Sequence, residues 1–319
     1  MVSLPMDVGR KNIWPEEKAS YTIFERLKAS GLFDSTRFWV IHEANGKLGR
    51  SLGVNVGLTP VQLEGLLKTA VHAAQAASVP IKAYFGGQHL EVQQKGDGSP
   101  VTLADQEAEA LIRANLLSNS ELGPLDILGE EEGLQGTGTR WRWIVDPIDG
   151  TRSFIHGIPL FGTIIALLDT EENLPVVGVI HLPMLGQTYA AAKGLGANCQ
   201  GTRMDVSGSR SLEEVIIGVG DIAQFASANR LPDYQRLQDL SGYVRGYADC
   251  FGHGLVVSGA LGAMLDPALN PWDILATQVL VEEAKGKILL SPSSVPGKVD
   301  ALFGNPKVVE HLARELSFA

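Results

Sequence analysis

The stretch Trp143-Ile-Val-Asp-Pro-Ile-Asp-Gly-Thr151 decides how the chain folds and what it can do. Ile144 and Val145 suit the interior of a buried strand, whereas Pro147 and Gly150 are poor strand residues. The strand is therefore expected to end after Val145 and to present Asp146 and Asp149 on the turn just beyond it. Open α/β sheets carry their chemistry at such strand ends. Two carboxylates this close repel each other unless one is protonated or a cation lies between them, and at neutral pH a divalent metal meets that need. A plain Asx-turn with one capping Asp is the alternative reading of the same residues.

Working outward, Leu125-Asp-Ile-Leu128 reads as a short strand ending in Gly129-Glu-Glu-Glu-Gly133. A glutamate run is commonly a solvated surface, but here it follows an apolar strand, as Asp146 does, so both acid sets can meet at one sheet edge. Upstream, Lys95-Gly-Asp-Gly-Ser-Pro-Val-Thr-Leu-Ala-Asp105 is a Gly/Pro-rich loop opening a helix, with Thr102 as N-cap and Asp105 in capping-box position. Capping and catalysis are both open to Asp105. Thr59-Pro60 starts an earlier helix whose apolar face, Leu63, Leu66, Leu67, Ala70, Val71 and Ala74, continues to about Tyr84. Residues 1–58 suggest a short helix near Phe24 and a strand at Phe38-Trp-Val-Ile41, without chemistry; they read as an extension of unknown role that packs on the main body or helps it dimerise.

Downstream, an apolar strand over 160–168 precedes a hairpin of 176–182 and 188–192 turning at 183–186. The glycine-rich run Gly194-Leu-Gly-Ala-Asn-Cys-Gln-Gly201 follows a strand without opening a helix, so it fails as a dinucleotide fingerprint. The second half offers a strand over 215–219, a polar helix over 233–239 and a strand near Tyr243. Asp249-Cys-Phe-Gly-His-Gly254 then leads into a small-residue helix over 255–261, and Met264-Leu-Asp-Pro267 precedes Asn270-Pro-Trp-Asp273. Asp273 reads as a possible N-cap of a helix over 274–284 that stops at Gly286. A strand over 301–303 and a helix over 308–316 complete the chain. With no repeat or linker in view, an N-terminal half, 59–205, carrying most of the candidate ligands and a C-terminal half, 206–319, completing the site should share one core.

Composition narrows the function. With 319 residues, 45% hydrophobic and 19% charged, the chain is an ordinary globular protein. A net charge of -10 argues against binding to a nucleic-acid backbone, because no basic excess exists to displace counterions. Cys199 and Cys250 have no metal or redox spacing and suit a reducing compartment. Residues 1–10 lack an apolar signal core, acids appear early, and no run approaches the roughly 18 apolar residues that span a bilayer. The expectation is a soluble, cytoplasmic protein with no membrane partner.

Gathered together, Asp105, Glu130, Glu131, Asp146, Asp149 and Asp273 each lie where a helix starts or a strand ends. Mg²⁺ takes oxygen ligands, so carboxylates with a turn carbonyl, here that of Ile148, have the right chemistry, and the seven scattered histidines offer no zinc set. Two such ions roughly 4 Å apart polarise a phosphoryl oxygen and generate hydroxide. The amides of Gly150 and Thr151, if they open a short helix, add an anion pocket.

The combination Gly129-Glu-Glu131, Asp-Pro-Ile-Asp-Gly-Thr at 146–151 and Pro-Trp-Asp at 271–273 resembles the inositol monophosphatase-like family of metal-dependent phosphatases, over about residues 60–318. The resemblance implies a layered α/β fold, an αβαβα sandwich of the inositol monophosphatase and sugar phosphatase type, and a homodimer that hydrolyses a small phosphomonoester with two or three Mg²⁺. It implies that Glu130, Asp146 and the Ile148 carbonyl hold the first metal, that Asp146 bridges to a second bound by Asp149 and Asp273, and that Glu131 supports the cluster. Thr151 and Asp105 would orient and deprotonate the attacking water. Gly150 and Thr151 would hold the phosphate, and Lys95 and Asp97 would close the site from a mobile loop. Phe154-Ile-His-Gly-Ile-Pro-Leu-Phe-Gly-Thr163 and the segment from Asp249 to Asp273 look most like the histidinol-phosphatase branch, although His253 stands where that branch leads one to expect an aromatic. Asp249 and Asp266 would bind a substrate carrying a cationic amine and an imidazole. An inositol or broad-specificity sugar monophosphatase is the nearest alternative, and a non-catalytic metal-binding relative the alternative from another class.

Overall fold

The structure, a computed structural model, describes residues 57–87, 92–94, 100–118, 122–123, 125–241, 243–316 and 318. The readings made on residues 1–56 and on Lys95 and Asp97 lie outside the described residues.

Helix α1 (Pro60–Tyr84) starts at the capping box of Thr59 and Gln62. A short antiparallel pair, β1 (Val92–Gln94) and β2 (Pro100–Thr102), leads into α2 (Leu103–Leu117). The first large sheet is then built from β3 (Asp126–Gly129), β4 (Gly133–Gln135), β5 (Trp141–Asp149), β6 (Gly162–Asp169), β7 (Leu174–Leu182), β8 (Gln187–Ala192), β9 (Gly196–Cys199) and β10 (Thr202–Arg203), with the short α3 (Thr151–Ile155) between β5 and β6. Its strand order is β10-β9-β8-β7-β6-β5-β3-β4. The second half supplies β11 (Ile217–Val219), α4 (Ile222–Ser227), α5 (Leu231–Leu240), β12 (Val244–Gly246), α6 (Asp249–Val257), β13 (Ala263–Leu269), α7 (Pro271–Glu283), β14 (Lys287–Pro292), β15 (Val299–Gly304) and α8 (Pro306–Glu315). Its sheet runs β12-β11-β13-β15-β14.

Strand periodicity sorts the side chains into layers. Trp143, Val145, Ile165, Leu167 and Val179 pack beneath α1 and α2. Their neighbours Ile144, Ile164, Ala166 and Ile180 point the other way, into a core shared with α6, α7 and Phe303 of the second sheet. Beyond that sheet, Ile217, Val219, Leu265 and Leu302 pack against Phe225, Leu237, Val308 and Leu312 of the outer helices. The order is αβαβα, as the resemblance implied. Because the first sheet is covered on both faces, its central strands β6 and β7 read as nearly continuous apolar runs. Helix α7 lies between the sheets and is buried on nearly every side, which fixes where its N-terminal Asp273 sits.

Several local expectations fail. Strand β5 does not stop at Val145; it runs to Asp149, with a register shift between Asp146 and Asp149. Pro147 is accommodated at this irregularity, where an unpaired residue needs no ladder donor, and its carbonyl accepts from Thr163 Oγ1 at 2.8 Å. Helix α6 begins at Asp249 and ends at Val257, six residues ahead of the expected start at 255. Residues 263–269 and 287–292, where no strand was expected, form β13 and β14. The N-cap of α7 is Asn270, with Asp273 at the third helical position of its capping box.

Candidate active site

Strands β3 and β5 are parallel with Gly129 beside Val145, and the Glu130 N–H donates to the Val145 carbonyl at 3.1 Å. This pairing brings Glu130 alongside Asp146, close enough for its charge to act on the Asp146 carboxyl. The β5 irregularity turns Asp149 toward the same edge, and α7 delivers Asp273 from between the sheets. One oxygen from each of Asp146, Asp149 and Asp273 lies within 4.8 Å of the others. Asp146 is 2% exposed, and its Oδ1 has no hydrogen-bond partner among the described residues.

Electrostatics at this edge are adverse to free carboxylates. Burial, followed by the charges of Glu130, Asp149 and Asp273, pushes Asp146 well above the usual carboxylate range. Burial and the charges of Asp249 and Asp273 push Asp149 up as well, against the pull of the Cys250 backbone N–H that donates to it. Asp273 is pushed up to about 7 by burial and Glu130, with Lys298 acting the other way. An all-oxygen donor set holding a buried oxygen without a partner fits a hard divalent cation such as Mg²⁺.

Protons and a cation therefore compete for the same oxygens. Folded-state values above the unfolded ones mean that protonation favours the fold below about pH 7, and that this contribution is lost as pH rises through the folded value. A bound cation takes over at higher pH, adding about 2.7 kcal/mol at a hundredfold excess over its dissociation constant. The rise in Tm on adding Mg²⁺ is expected to be several degrees at pH 8 and to fade below pH 6. Thermal unfolding with and without Mg²⁺ across that range checks this, and a Mg²⁺ effect independent of pH would contradict it.

The remaining residues fall around this cluster. Asp105 is buried, and its Oδ2 accepts from the Thr102 N–H at 2.7 Å and the Thr102 hydroxyl at 2.6 Å, so the capping box is real. The Thr151 hydroxyl donates to the Ile148 carbonyl at 3.0 Å, tying the two residues together. Gly150 caps α3 in the left-handed conformation at φ 86°, and a side chain there would stand 3.0 Å from Asp249 Oδ2. Asp249 opens α6 with φ 59° and is pushed up to about 6 by burial and by Asp266, with His253 and Arg152 acting the other way. Asp266 Oδ2 lies 3.1 Å from His253 Nε2.

One supporting residue escaped the sequence reading. Glu109 of α2 is fully buried; its carboxylate takes two hydrogen bonds from Arg113 at 2.9 and 2.7 Å and the backbone N–H groups of Glu131 and Glu132 at 2.9 and 3.1 Å. A Cβ on Gly129 would collide with it, 2.1 Å from Oε1, so glycine is what lets the loop close over this anion. The visible signal was the i, i+4 pair of Glu109 and Arg113 on a helix face otherwise apolar.

A family model described as the inositol monophosphatase family matches residues 62–316. The chain is 40% identical over 222 residues to a Chlorobaculum parvum protein named histidinol-phosphatase, across 69% of this chain and 83% of that one. It is 34% identical over 225 residues to an inositol-1-monophosphatase of Mesorhizobium japonicum, across 69% and 84%. Among solved structures, the extragenic suppressor protein suhB of Bartonella henselae superposes with a TM-score of 0.71 at 29% identity, covering 79% of this chain and 98% of that one.

Proposed function

Because the chain belongs to the inositol monophosphatase family and is thus a phosphoric monoester hydrolase, we propose that it is a Mg²⁺-dependent phosphatase whose substrate is histidinol phosphate, yielding histidinol and phosphate. The observation that carries the metal-dependent reading is the triad of oxygens from Asp146, Asp149 and Asp273 within 4.8 Å of one another.

Glu130, Asp146, Asp149, Asp273 and the Ile148 carbonyl would hold two or three ions. When bound, Mg²⁺ supplies charge for the phosphoryl oxygens and a water acidic enough to attack at neutral pH. Asp105, held at Oδ2 by Thr102, would accept a proton from an attacking water, and the Thr151 hydroxyl would orient that water. The backbone N–H groups of Gly150 and Thr151 hold the phosphate, and Glu131 supports the acid cluster through its loop. Asp249 and Asp266 supply negative charge to a cationic leaving group. This fits histidinol phosphate, and so does the name of the Chlorobaculum parvum relative. A homodimer working in the cytoplasm completes the reading, and no helix of the described residues is long and apolar enough to cross a membrane.

The Mesorhizobium japonicum relative favours a second reading, with an inositol phosphate as substrate and the same residues at work. Phosphate release from histidinol phosphate and inositol 1-phosphate, measured side by side with Mg²⁺, separates the two. A preference of about tenfold or more for histidinol phosphate is expected. Preference for inositol phosphate would overturn the substrate assignment, and Mg²⁺ binding without release from either ester would favour a non-catalytic protein.

A further inference from the structure

Helix α6 starts without a cap of its own. Its N-cap is Ala248, whose side chain offers no acceptor to the N–H groups of the first turn. Asp249 follows in the left-handed conformation at φ 59°, and the Gly252 N–H reaches the Ala248 carbonyl only at 3.4 Å. The acceptor comes instead from the first sheet: Oδ2 of Asp149, at the end of β5, takes the Cys250 backbone N–H at 2.5 Å, from 101 residues away in sequence. The Cys250 side chain is fully buried beside it, and a Cβ on Gly162, the β6 partner of Asp149, would stand 2.9 Å from Cys250 Sγ. Glycine at 162 is therefore what lets α6 come so close to the strand pair that carries Asp149.

The same Asp149 contributes an oxygen to the triad with Asp146 and Asp273. A carboxylate has two oxygens with about four lone-pair sites, so it can accept an N–H and bind a cation together. Like charges strain the arrangement: Asp249, the residue before Cys250, and Asp273 both act on Asp149 with the same sign. Without a cation, the bond to α6 is held against that repulsion. A cation at Asp149 offsets the repulsion and leaves the hydrogen bond in place. The other polar supports of α6 stand further along, where His253 meets Thr277 and Asp266 in the second turn. Its first turn can therefore release while the rest stays packed.

We propose that Asp149 is a positioning residue for α6 as well as a metal ligand, so that loading of the metal centre and docking of the first turn of α6 are thermodynamically linked. The proposal deepens the metal-dependent reading and rests on it. Linkage runs both ways: a cation at Asp149 seats the turn that carries Asp249, and whatever seats that turn raises the affinity for the cation by the same factor.

The test needs no turnover. The chain has two cysteines, so ¹⁵N-cysteine labelling of the full-length protein gives two backbone amide signals, Cys250 at the start of α6 and Cys199 in β9 as an internal control. Cys199→Ser assigns them. Adding Mg²⁺ to wild type is expected to slow hydrogen exchange of the Cys250 amide at least about tenfold more than that of Cys199. Equal slowing at the two cysteines, or none at Cys250 although Mg²⁺ raises the Tm, would overturn the proposal. Asp149→Asn keeps a carbonyl oxygen for the Cys250 N–H and removes the repulsion, so its Cys250 amide is expected to be protected without Mg²⁺ and unchanged by it. In Asp149→Ala, which has no acceptor, the same amide is expected to exchange at least about tenfold faster than in Asp149→Asn. A Cys250 amide in Asp149→Asn that still responds to Mg²⁺, or equal exchange in the two variants, would contradict the shared role of Asp149. Mg²⁺ that neither raises the wild-type Tm nor changes either amide would count against the metal-dependent reading itself, and the proposal would fall with it.

Discussion

Asp146→Asn is expected to lower kcat by at least about 1,000-fold, roughly 4 kcal/mol of transition-state stabilisation, with the fold unchanged. The substitution keeps the volume of the side chain but removes a charge that Glu130, Asp149 and Asp273 all act upon. It also replaces an oxygen of a carboxyl group whose buried Oδ1 has no hydrogen-bond partner among the described residues. Since the wild-type carboxylate is crowded by like charges, the neutral amide relieves repulsion, and the metal-free variant should unfold at a temperature no lower than metal-free wild type. Phosphate release at saturating Mg²⁺, read together with thermal unfolding after chelation, checks both halves. Activity close to wild type would remove Asp146 from the metal centre.

Glu109→Ala should be the most damaging substitution for stability among the site's supports. It strips a fully buried carboxylate that receives two hydrogen bonds from Arg113 and two from the backbone of the acidic loop. Arg113 keeps the Gly133 carbonyl at 2.7 Å and a partly exposed contact with Glu132 at 3.3 Å, which is a weak substitute. Breaking a buried pair of this kind costs about 3–5 kcal/mol, and the Tm should fall by about 10 °C. Because the loop also carries Glu130, the Mg²⁺ concentration needed for half-maximal activity should rise, while saturating Mg²⁺ restores part of the rate. Glu109→Gln keeps an acceptor and should lose less on both counts. If Glu109→Ala lowered the Tm but left the Mg²⁺ requirement unchanged, the loop would not depend on Glu109 for its catalytic geometry.

Much of this site could be read from local chemistry. The apolar run through Val145 marked a buried strand, Thr59-Pro60 and Thr102 marked helix starts, and the capping box of Thr102 and Asp105 formed as its spacing required. Asp146, Asp149 and Asp273 were gathered from two distant motifs, and they do meet. What stayed hidden depends on tertiary pairing. The irregularity opposite β6 carries β5 past Pro147, and β13 keeps its strand through Pro267 with Ala268 at φ 59°, because neighbouring strands supply the order that local propensity denies. The link from Glu109 to the acidic loop was hidden for the same reason: its partners Glu131 and Glu132 lie about twenty residues away and are reached through backbone N–H groups that any sequence possesses. His253 looked like a departure from a family pattern and turned out to link α6, α7 and β13.

The central claim is that the acids at the end of β5 form a metal centre. Anomalous diffraction from crystals grown with Mn²⁺, a stand-in for Mg²⁺ that can be located directly, tests it without reference to any substrate. The account predicts anomalous peaks bounded by the carboxylates of Glu130, Asp146, Asp149 and Asp273, and their loss in Asp146→Asn. Occupied Mn²⁺ positions elsewhere with none among these four residues would contradict it.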